Sequence, residues 1–158
     1  MVSKAKPILV PVDFSPHARV ALAFAGSLSK RLRAPLVILH VVHDPGEAPG
    51  YYDKIRKSKR KGVSRIEDKA REAMETFLGS MVVEHADLKA TLEKAETRLV
   101  TGLPVSRILE VIEKLNPSMV VMGSQGRTGL AHLYLGSKAE QVTRLSPVPV
   151  TIVKTANS

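Results

Sequence analysis

The residues with the clearest chemical signature form a glycine-rich stretch between Gly123 and Gly136. It opens with Gly123-Ser-Gln-Gly126 and closes, nine residues later, with Gly136-Ser137. Glycine allows positive φ and close backbone approach to a ligand, and a helix starting at Ser137 would present N–H groups and a partial positive charge. The pattern therefore predicts a phosphate-binding loop. The alternative is a loop whose glycines only permit turns, but a loop of this length is uncommon without a function.

The sequence lacks the motifs of other common nucleotide-binding, metal-binding and catalytic sites. Neither the P-loop pattern G-x4-G-K-[ST] nor the dinucleotide pattern G-x-G-x-x-G occurs. There is no cysteine, no metal-binding H-E-x-x-H among the five histidines, and no nucleophile elbow. We expect a binding protein with no metal site of its own, in which His40 belongs to the core. Any Mg²⁺ or Mn²⁺ would be carried by the bound phosphates.

The elements around this loop alternate between strands and helices, as in an α/β fold with a parallel sheet covered on both faces. Short apolar runs predict five strands, and apolar residues every three or four positions predict helices. The predicted strands cover residues 7–12, 35–42, 96–102, 119–122 and 147–154. The predicted helices begin at Ser15-Pro16, at a capping-box pattern Ser64-Arg-Ile-Glu67, at Pro104 and at Ser137.

Residues 79–95 leave three alternatives open. They form a continued helix, a break at Gly79 followed by a second helical piece over 86–95, or both.

Asp13 follows the first strand and is the candidate polar ligand at that end of the sheet. Open parallel sheets bind ligands beyond the carboxyl ends of their strands, where the helices diverge to opposite faces. The alternative role for Asp13 is to cap the helix that follows. Ser137 has the same two alternatives, phosphate ligand or helix cap.

Residues 43–63 carry most of the excess positive charge. The net charge is +9, and six Lys or Arg residues lie within residues 54–61. We predict a long, exposed basic loop. It could track a nucleic-acid backbone, with Tyr51-Tyr52 stacking on bases, but three Tyr and three Phe are a poor supply of stacking groups and no nucleic-acid motif accompanies them. A solvated loop is favoured.

Several segments together resemble the universal stress protein family over nearly the whole chain. They are ILVPVDFSP, LHVV, the turn Val100-Thr-Gly-Leu-Pro104, VVMGSQGRTGL, LGSKAEQV and PVPVTIV. The pattern G-x2-G-x9-G-S after an apolar strand is similar to that of the ATP-binding subgroup. The resemblance implies one domain over residues 1–158, with a Rossmann-like, open five-stranded parallel sheet in the order 3-2-1-4-5.

The resemblance also implies a nucleotide-binding role for particular residues. Asp13 and Val41 would face the adenosine, Met122 and Gly123 would lie along it, and Gly126, Gly136 and Ser137 would hold the phosphates. The cofactor would be ATP, AMP or another adenine nucleotide, with Mg or Mn carried by its phosphates. The full set of candidates is Pro11, Asp13, Val41, Met122, Gly123, Gln125, Gly126, Gly136, Ser137 and Lys138.

Three functions follow from these observations. The first is a stress-response regulatory protein that binds an adenine nucleotide and acts as a switch, dimerising through the strand Val148–Val153 as the resemblance implies. The second is a slow ATPase or phosphotransfer enzyme, and the third is a protein that docks acidic partners or nucleic acid through the basic loop. The sequence has no membrane-spanning apolar run and no signal-peptide pattern, so we expect a cytoplasmic location without membrane contact.

Overall fold

The computed structural model describes residues 4–43, 50–56, 65–126 and 135–155. Within these ranges five parallel strands form one sheet in the order β3-β2-β1-β4-β5, which confirms the predicted order. Continuous apolar runs explain the burial of the inner strands β1 and β2 on both faces. The strands are β1 (Ile8–Pro11), β2 (Leu36–Val42), β3 (Glu96–Thr101), β4 (Met119–Gly123) and β5 (Val150–Val153).

Helices cover both faces of the sheet and create two apolar cores. The helices following β1 and β2 pack on one face, and those following β3 and β4 pack on the other. They are α1 (Pro16–Leu32), α2 (Ile66–Glu84), a 3-10 turn (Ala86–Leu88), α3 (Lys89–Lys94), α4 (Pro104–Leu115) and α5 (Ser137–Leu145). None of the helices in these ranges is both long and apolar enough to cross a lipid bilayer.

The switch point of the sheet lies between β1 and β4. Ile8 of β1 pairs with Leu36 of β2 on one side and with Met119 of β4 on the other. The chain leaves β1 toward α1 on one face and leaves β4 toward α5 on the opposite face. This divergence opens a crevice at the carboxyl ends of the two strands.

The predicted start of α1 is confirmed, but the predicted start of α2 is not the observed one. Ser15 caps α1 by accepting the N–H of Ala18 at 3.1 Å, and proline occupies the first turn. The second helix begins at Ile66, with Arg65 in the capping position and without a side-chain cap. Ser64, the predicted cap, lies outside the described residues.

Residues 79–95 combine two of the predicted alternatives. The helix α2 continues through Gly79 to Glu84, and a second helical piece follows over 86–94. The break falls at His85 rather than at Gly79. An exposed glycine inside a helix costs about 1 kcal/mol, and burial of Phe77 and Met81 on either side of Gly79 offsets that cost.

The expectation that residues 43–63 form an exposed loop is wrong at Tyr52 and Arg56, while Gly50 and Lys54 are exposed as expected. Tyr52 is 2% exposed and Arg56 is 8% exposed. Arg56 can be buried because two carboxylates neutralise it, Asp53 and Glu72, each at 2.8 Å. Composition alone does not show that one cation of a basic run pairs with Glu72, which lies sixteen residues further along the chain in α2. Residues 44–49 and 57–63 lie outside the described residues.

Candidate functional site

Asp13 lies at the carboxyl end of β1, half-buried, where it shapes the turn into α1. Its Oδ1 accepts the backbone N–H of Ser15 at 3.0 Å. The cap of the helix is Ser15, so the alternative role of Asp13 as the helix cap is wrong. Phe14, between the two, has a φ of 64°, a left-handed conformation that is costly for an aromatic residue. The carboxylate of Asp13 thus braces a strained turn.

Gly126 faces Asp13 across the switch point. A Cβ placed on Gly126 would lie 2.7 Å from Oδ2 of Asp13, which is closer than van der Waals contact permits. The loops after β1 and β4 therefore meet at these two residues. The structure brings together a candidate for the adenosine side and a candidate for the phosphate side.

Gly123 has a different reason to be glycine than the one the sequence suggested. A Cβ there would lie 2.8 Å from the backbone carbon and oxygen of His17 in α1. Close helix-to-strand packing therefore requires this glycine, whether or not a ligand approaches it. The sequence contains no signal for this contact, because it depends on the depth at which α1 rests on β4.

The second glycine pair closes onto the amino end of α5. Gly136 is the N-cap residue and donates its N–H to the carbonyl of Ser124 at 2.7 Å, while Ser124 donates to Val153 of β5 at 3.1 Å. Ser137 is the first helical residue, so its alternative role as the cap is wrong. Its backbone N–H and that of Lys138 have no partner within the helix itself, as at every helix start.

The apolar candidates lie at the same end of the sheet. Pro11 is the last residue of β1 and is buried opposite Leu39 of β2. Val41 and Met122, 5% and 8% exposed, belong to the core on the α4 and α5 side. The remaining candidates are polar: Gln125 is half-buried and Lys138 is exposed. Their predicted contacts with a nucleotide stay predictions.

His40 lies beneath the turn that carries Asp13, which confirms its expected place in the core. It is 1% exposed, and burial lowers its pKa to about 4, an effect that the charges of His43 and Lys138 reinforce. A hydrogen bond to the carbonyl of Val12 and the charge of Asp13 oppose the shift without reversing it. The ring is therefore neutral at pH 7 and serves as a hydrogen-bonding support.

Two site residues were missed because their segment was predicted to be an exposed loop. The hydroxyl of Tyr51 donates to the carbonyl of Asp13, and the hydroxyl of buried Tyr52 lies 2.7 Å from Nε2 of His40. The sequence alone suggests for both tyrosines only a role in stacking on nucleic-acid bases. The doublet itself was the available signal, since two adjacent aromatic residues in a polar loop favour a packed segment.

Two shallow hollows of the described surface lie away from these residues. One, of about 340 Å³, is lined by Thr76, Gly79, Ser80, Val83 and Glu84, and the other, of about 290 Å³, lies between α1 and the end of α2. Neither includes a candidate residue. Over the same described ranges, no three His, Asp or Glu side chains converge on a point where a metal ion would sit.

The chain is similar to proteins from several bacteria and archaea. The Universal stress protein family matches residues 4–154. Universal stress protein MJ0577 of Methanocaldococcus jannaschii is 31% identical, covering 97% of each chain, and YxiE of Bacillus subtilis is 31% identical over 93% of this chain and 97% of its own.

Solved structures agree with this assignment at the level of the fold. Universal stress protein UspA from Lactobacillus plantarum superposes with a TM-score of 0.68 at 22% identity, covering 96% of this chain and 99% of its own. A universal stress protein from Archaeoglobus fulgidus in complex with dAMP has a TM-score of 0.58 at 22% identity, covering 96% of this chain and all of its own. The family match and the two 31%-identical relatives leave no ambiguity: this chain belongs to the universal stress protein family.

Proposed function

We propose that this protein binds an adenine nucleotide, ATP in the first place, in the crevice between the carboxyl ends of β1 and β4. The observation that carries the proposal is the meeting of Gly126 with the carboxylate of Asp13, beside the amino end of α5. A phosphate-binding element and a hydrogen-bond acceptor thus face the same crevice. Crevices at switch points are where open parallel sheets bind their ligands.

The phosphate side consists of backbone and small residues. Gly126 and Gly136 present backbone without side chains, and the first turn of α5 offers the N–H groups of Ser137 and Lys138. Lys138 adds a positive charge at a helix end that is already partly positive. An anion bound there would relieve that unfavourable arrangement, which supports phosphate as the group bound.

The nucleoside side consists of larger side chains. Val41, Met122 and Pro11 supply an apolar floor at the ends of three adjacent strands. Asp13 supplies a carboxylate acceptor suited to the adenine amino group or the ribose hydroxyls. The dAMP complex from Archaeoglobus fulgidus shows that this fold holds an adenine nucleotide in that protein. The assignment to this chain rests on its own residues.

We propose a regulatory binding module rather than an enzyme. Efficient phosphoryl transfer needs carboxylates that hold the metal and a group that positions the attacking water. Asp13 is the one carboxylate that the described residues place at the crevice, and one of its oxygens is engaged by Ser15. A Mg²⁺ or Mn²⁺ accompanying the nucleotide would be coordinated mainly by the phosphates.

We extend the proposal to a homodimer formed through β5. Among the residues that the structure describes, this strand is an edge of the sheet that pairs with β4 alone, and its four residues are all half-buried. An apolar edge strand is a template for pairing with another chain. A negative charge at Ile152 should convert the dimer to monomer in light scattering at micromolar concentration. A particle that is already monomeric, or a dimer that this charge leaves intact, would contradict the arrangement.

The decisive experiment is calorimetric titration of ATP with Mg²⁺ into nucleotide-stripped protein and into its Gly126→Val variant. The wild type should bind at micromolar concentration, and the variant should lose at least tenfold in affinity, about 1.4 kcal/mol or more, because the new side chain displaces Asp13 and fills the phosphate path.

The matched control is Gly79→Ala, since a Cβ at Gly79 meets nothing within 4 Å. It should bind ATP like the wild type and be more stable by about 0.5–1 kcal/mol, because alanine favours the helix. Absence of binding in the wild type would refute the proposed ligand. Equal binding by the wild type and Gly126→Val would refute the site.

A further inference from the structure

Two donors from the β2 side of the molecule hold consecutive carbonyls of the turn after β1. His40 Nδ1 lies 2.7 Å from the carbonyl of Val12, and the hydroxyl of Tyr51 donates to the carbonyl of Asp13. The two peptide groups on either side of Asp13 are therefore fixed in orientation. Neither bond is part of a helix or a strand ladder.

The residue after these carbonyls is the strained one. Phe14 has a φ of 64°, and the peptide group that Tyr51 holds is the one that joins Asp13 to Phe14. The Phe14 ring packs 4.3 Å from that of His40 and 5.4 Å from that of Phe77, measured between centroids. A left-handed aromatic residue persists only where its surroundings enforce it. Here the packing of Phe14 against the rings of His40 and Phe77, together with the hydrogen bond from Tyr51, stabilises this conformation.

The segment that carries Tyr51 is itself firmly anchored. Tyr52, edge-on to Tyr51 at 4.9 Å, is buried with its hydroxyl between His40 and the backbone N–H of His43. At the other end of the segment, Asp53 pairs with Arg56 at 2.8 Å and with Lys69 of α2 at 3.0 Å. These two cations, Lys69 foremost, lower the pKa of Asp53.

We propose that Tyr51 is a positioning residue for Asp13, and through it for the nucleoside side of the crevice. Its hydroxyl sets the peptide group between Asp13 and Phe14, and so the direction in which the Asp13 carboxylate faces Gly126. The inference rests on the proposed nucleotide function and deepens it, because it adds residues 50–56 to the residues that shape the site.

A double-mutant cycle tests this role, with titration of AMP and of ATP with Mg²⁺ at 25 °C. Tyr51→Phe removes one oxygen atom and should weaken both ligands by the same factor, about three- to tenfold, as expected for one hydrogen bond. In the Asp13→Ala background the same change should have no further effect, because there is no carboxylate left to position.

The matched control is Ser29→Ala at the opposite end of α1. Ser29 also donates a hydroxyl to a backbone carbonyl, that of Ala34, at 2.7 Å. This variant should lose stability to a similar extent and keep the wild-type affinity. A loss of affinity in Ser29→Ala equal to that in Tyr51→Phe would overturn the proposal, since it would mean that any loss of stability weakens binding.

A ligand-free measurement separates the failure of this proposal from failure of the nucleotide function. In Tyr51→Phe the amide resonance of Ser15, which reports the hydrogen bond to Asp13, should shift, whereas in Ser29→Ala it should not. If the wild type binds no adenine nucleotide, the proposed function fails, and the Ser15 amide alone decides whether Tyr51 positions Asp13: an unchanged resonance in Tyr51→Phe would overturn that role as well. If the wild type binds but Tyr51→Phe binds equally well, or its effect adds to that of Asp13→Ala, only the role of Tyr51 is overturned.

Discussion

The two walls of the crevice are built in opposite ways. The turn after β1 is held by large side chains: Phe14 packs on His40, and Tyr51 binds the backbone of Asp13. The described residues from the end of β4 to Gly126 depend instead on glycine, because a Cβ on Gly123 or on Gly126 would lie within 2.8 Å of a neighbouring residue. One wall is therefore shaped by packed side chains, and the other by glycine residues that let neighbouring segments approach closely.

This difference determines how each wall can be damaged. A wall of packed side chains is weakened by removing atoms, through lost hydrogen bonds and cavities. A wall that depends on glycine is weakened by adding side-chain atoms. The same logic fits the two halves of a nucleotide, since a base and ribose need shaped contacts and a phosphate needs N–H groups without obstruction.

The largest predicted effect comes from adding one atom at Gly123. In Gly123→Ala the new Cβ would lie 2.8 Å from backbone atoms of His17, which a helix cannot move cheaply. We expect the free energy of unfolding to fall by about 3 kcal/mol, at the upper end of overpacking costs. Urea denaturation followed by circular dichroism measures it.

Gly26 provides the comparison for this prediction. Gly26 lies in α1, the helix against which Gly123 packs, but a Cβ on Gly26 would meet the tip of the Leu88 side chain at 3.2 Å, and that tip can rotate away. The stability of Gly26→Ala should stay within about 1 kcal/mol of the wild type, since helix propensity offsets the contact. Equal losses in the two variants would show that the nature of the neighbour, backbone or side chain, does not matter.

The fold could be predicted from sequence patterns more completely than the two walls of the crevice could. Continuous apolar runs such as residues 36–42 mark buried parallel strands, and Ser15-Pro16 marks a helix start, so the sheet and α1 follow from local signals. The resemblance to a known family added the strand order. The roles of Gly123 and Tyr51 depend on distances between elements far apart in sequence, and no local pattern encodes them.

The second prediction concerns the side-chain wall and pH. The pKa of His40 is lowered from about 6.5 in the unfolded chain to about 4 in the folded protein, chiefly by burial. Between these values the unfolded state binds more protons, so stability is lost as the pH falls below about 6.5. We expect a loss of about 2 kcal/mol between pH 7 and pH 5 from this residue.

The variant His40→Gln isolates that contribution. It removes the titrating ring but leaves His43, Asp13 and Lys138, the other charges near that position, in place. Its stability should be lower than that of the wild type at pH 7 and should decline less steeply toward pH 5. Parallel declines for the two proteins, measured by urea denaturation at both pH values, would mean that His40 is not what makes this wall acid-sensitive.

The smallest predicted effect on stability is at Gly136, the second glycine of the phosphate side. A Cβ there would lie 3.3 Å from the Cα of Gln125 and 3.4 Å from the carbonyl oxygen of Ser124, so the loop has to yield by only a few tenths of an ångström. The backbone of Gly136, with a φ of −67°, accepts alanine without strain. Gly136→Ala should therefore lower the free energy of unfolding by about 1 kcal/mol, part of it from the loss of a favourable N-cap residue.

The affinity of Gly136→Ala for ATP should fall less than that of Gly126→Val, because the Asp13 side of the crevice is unchanged. A larger loss of affinity than in Gly126→Val, with stability unchanged, would contradict this expectation. It would mean that the phosphate lies closer to the start of α5 than to Gly126.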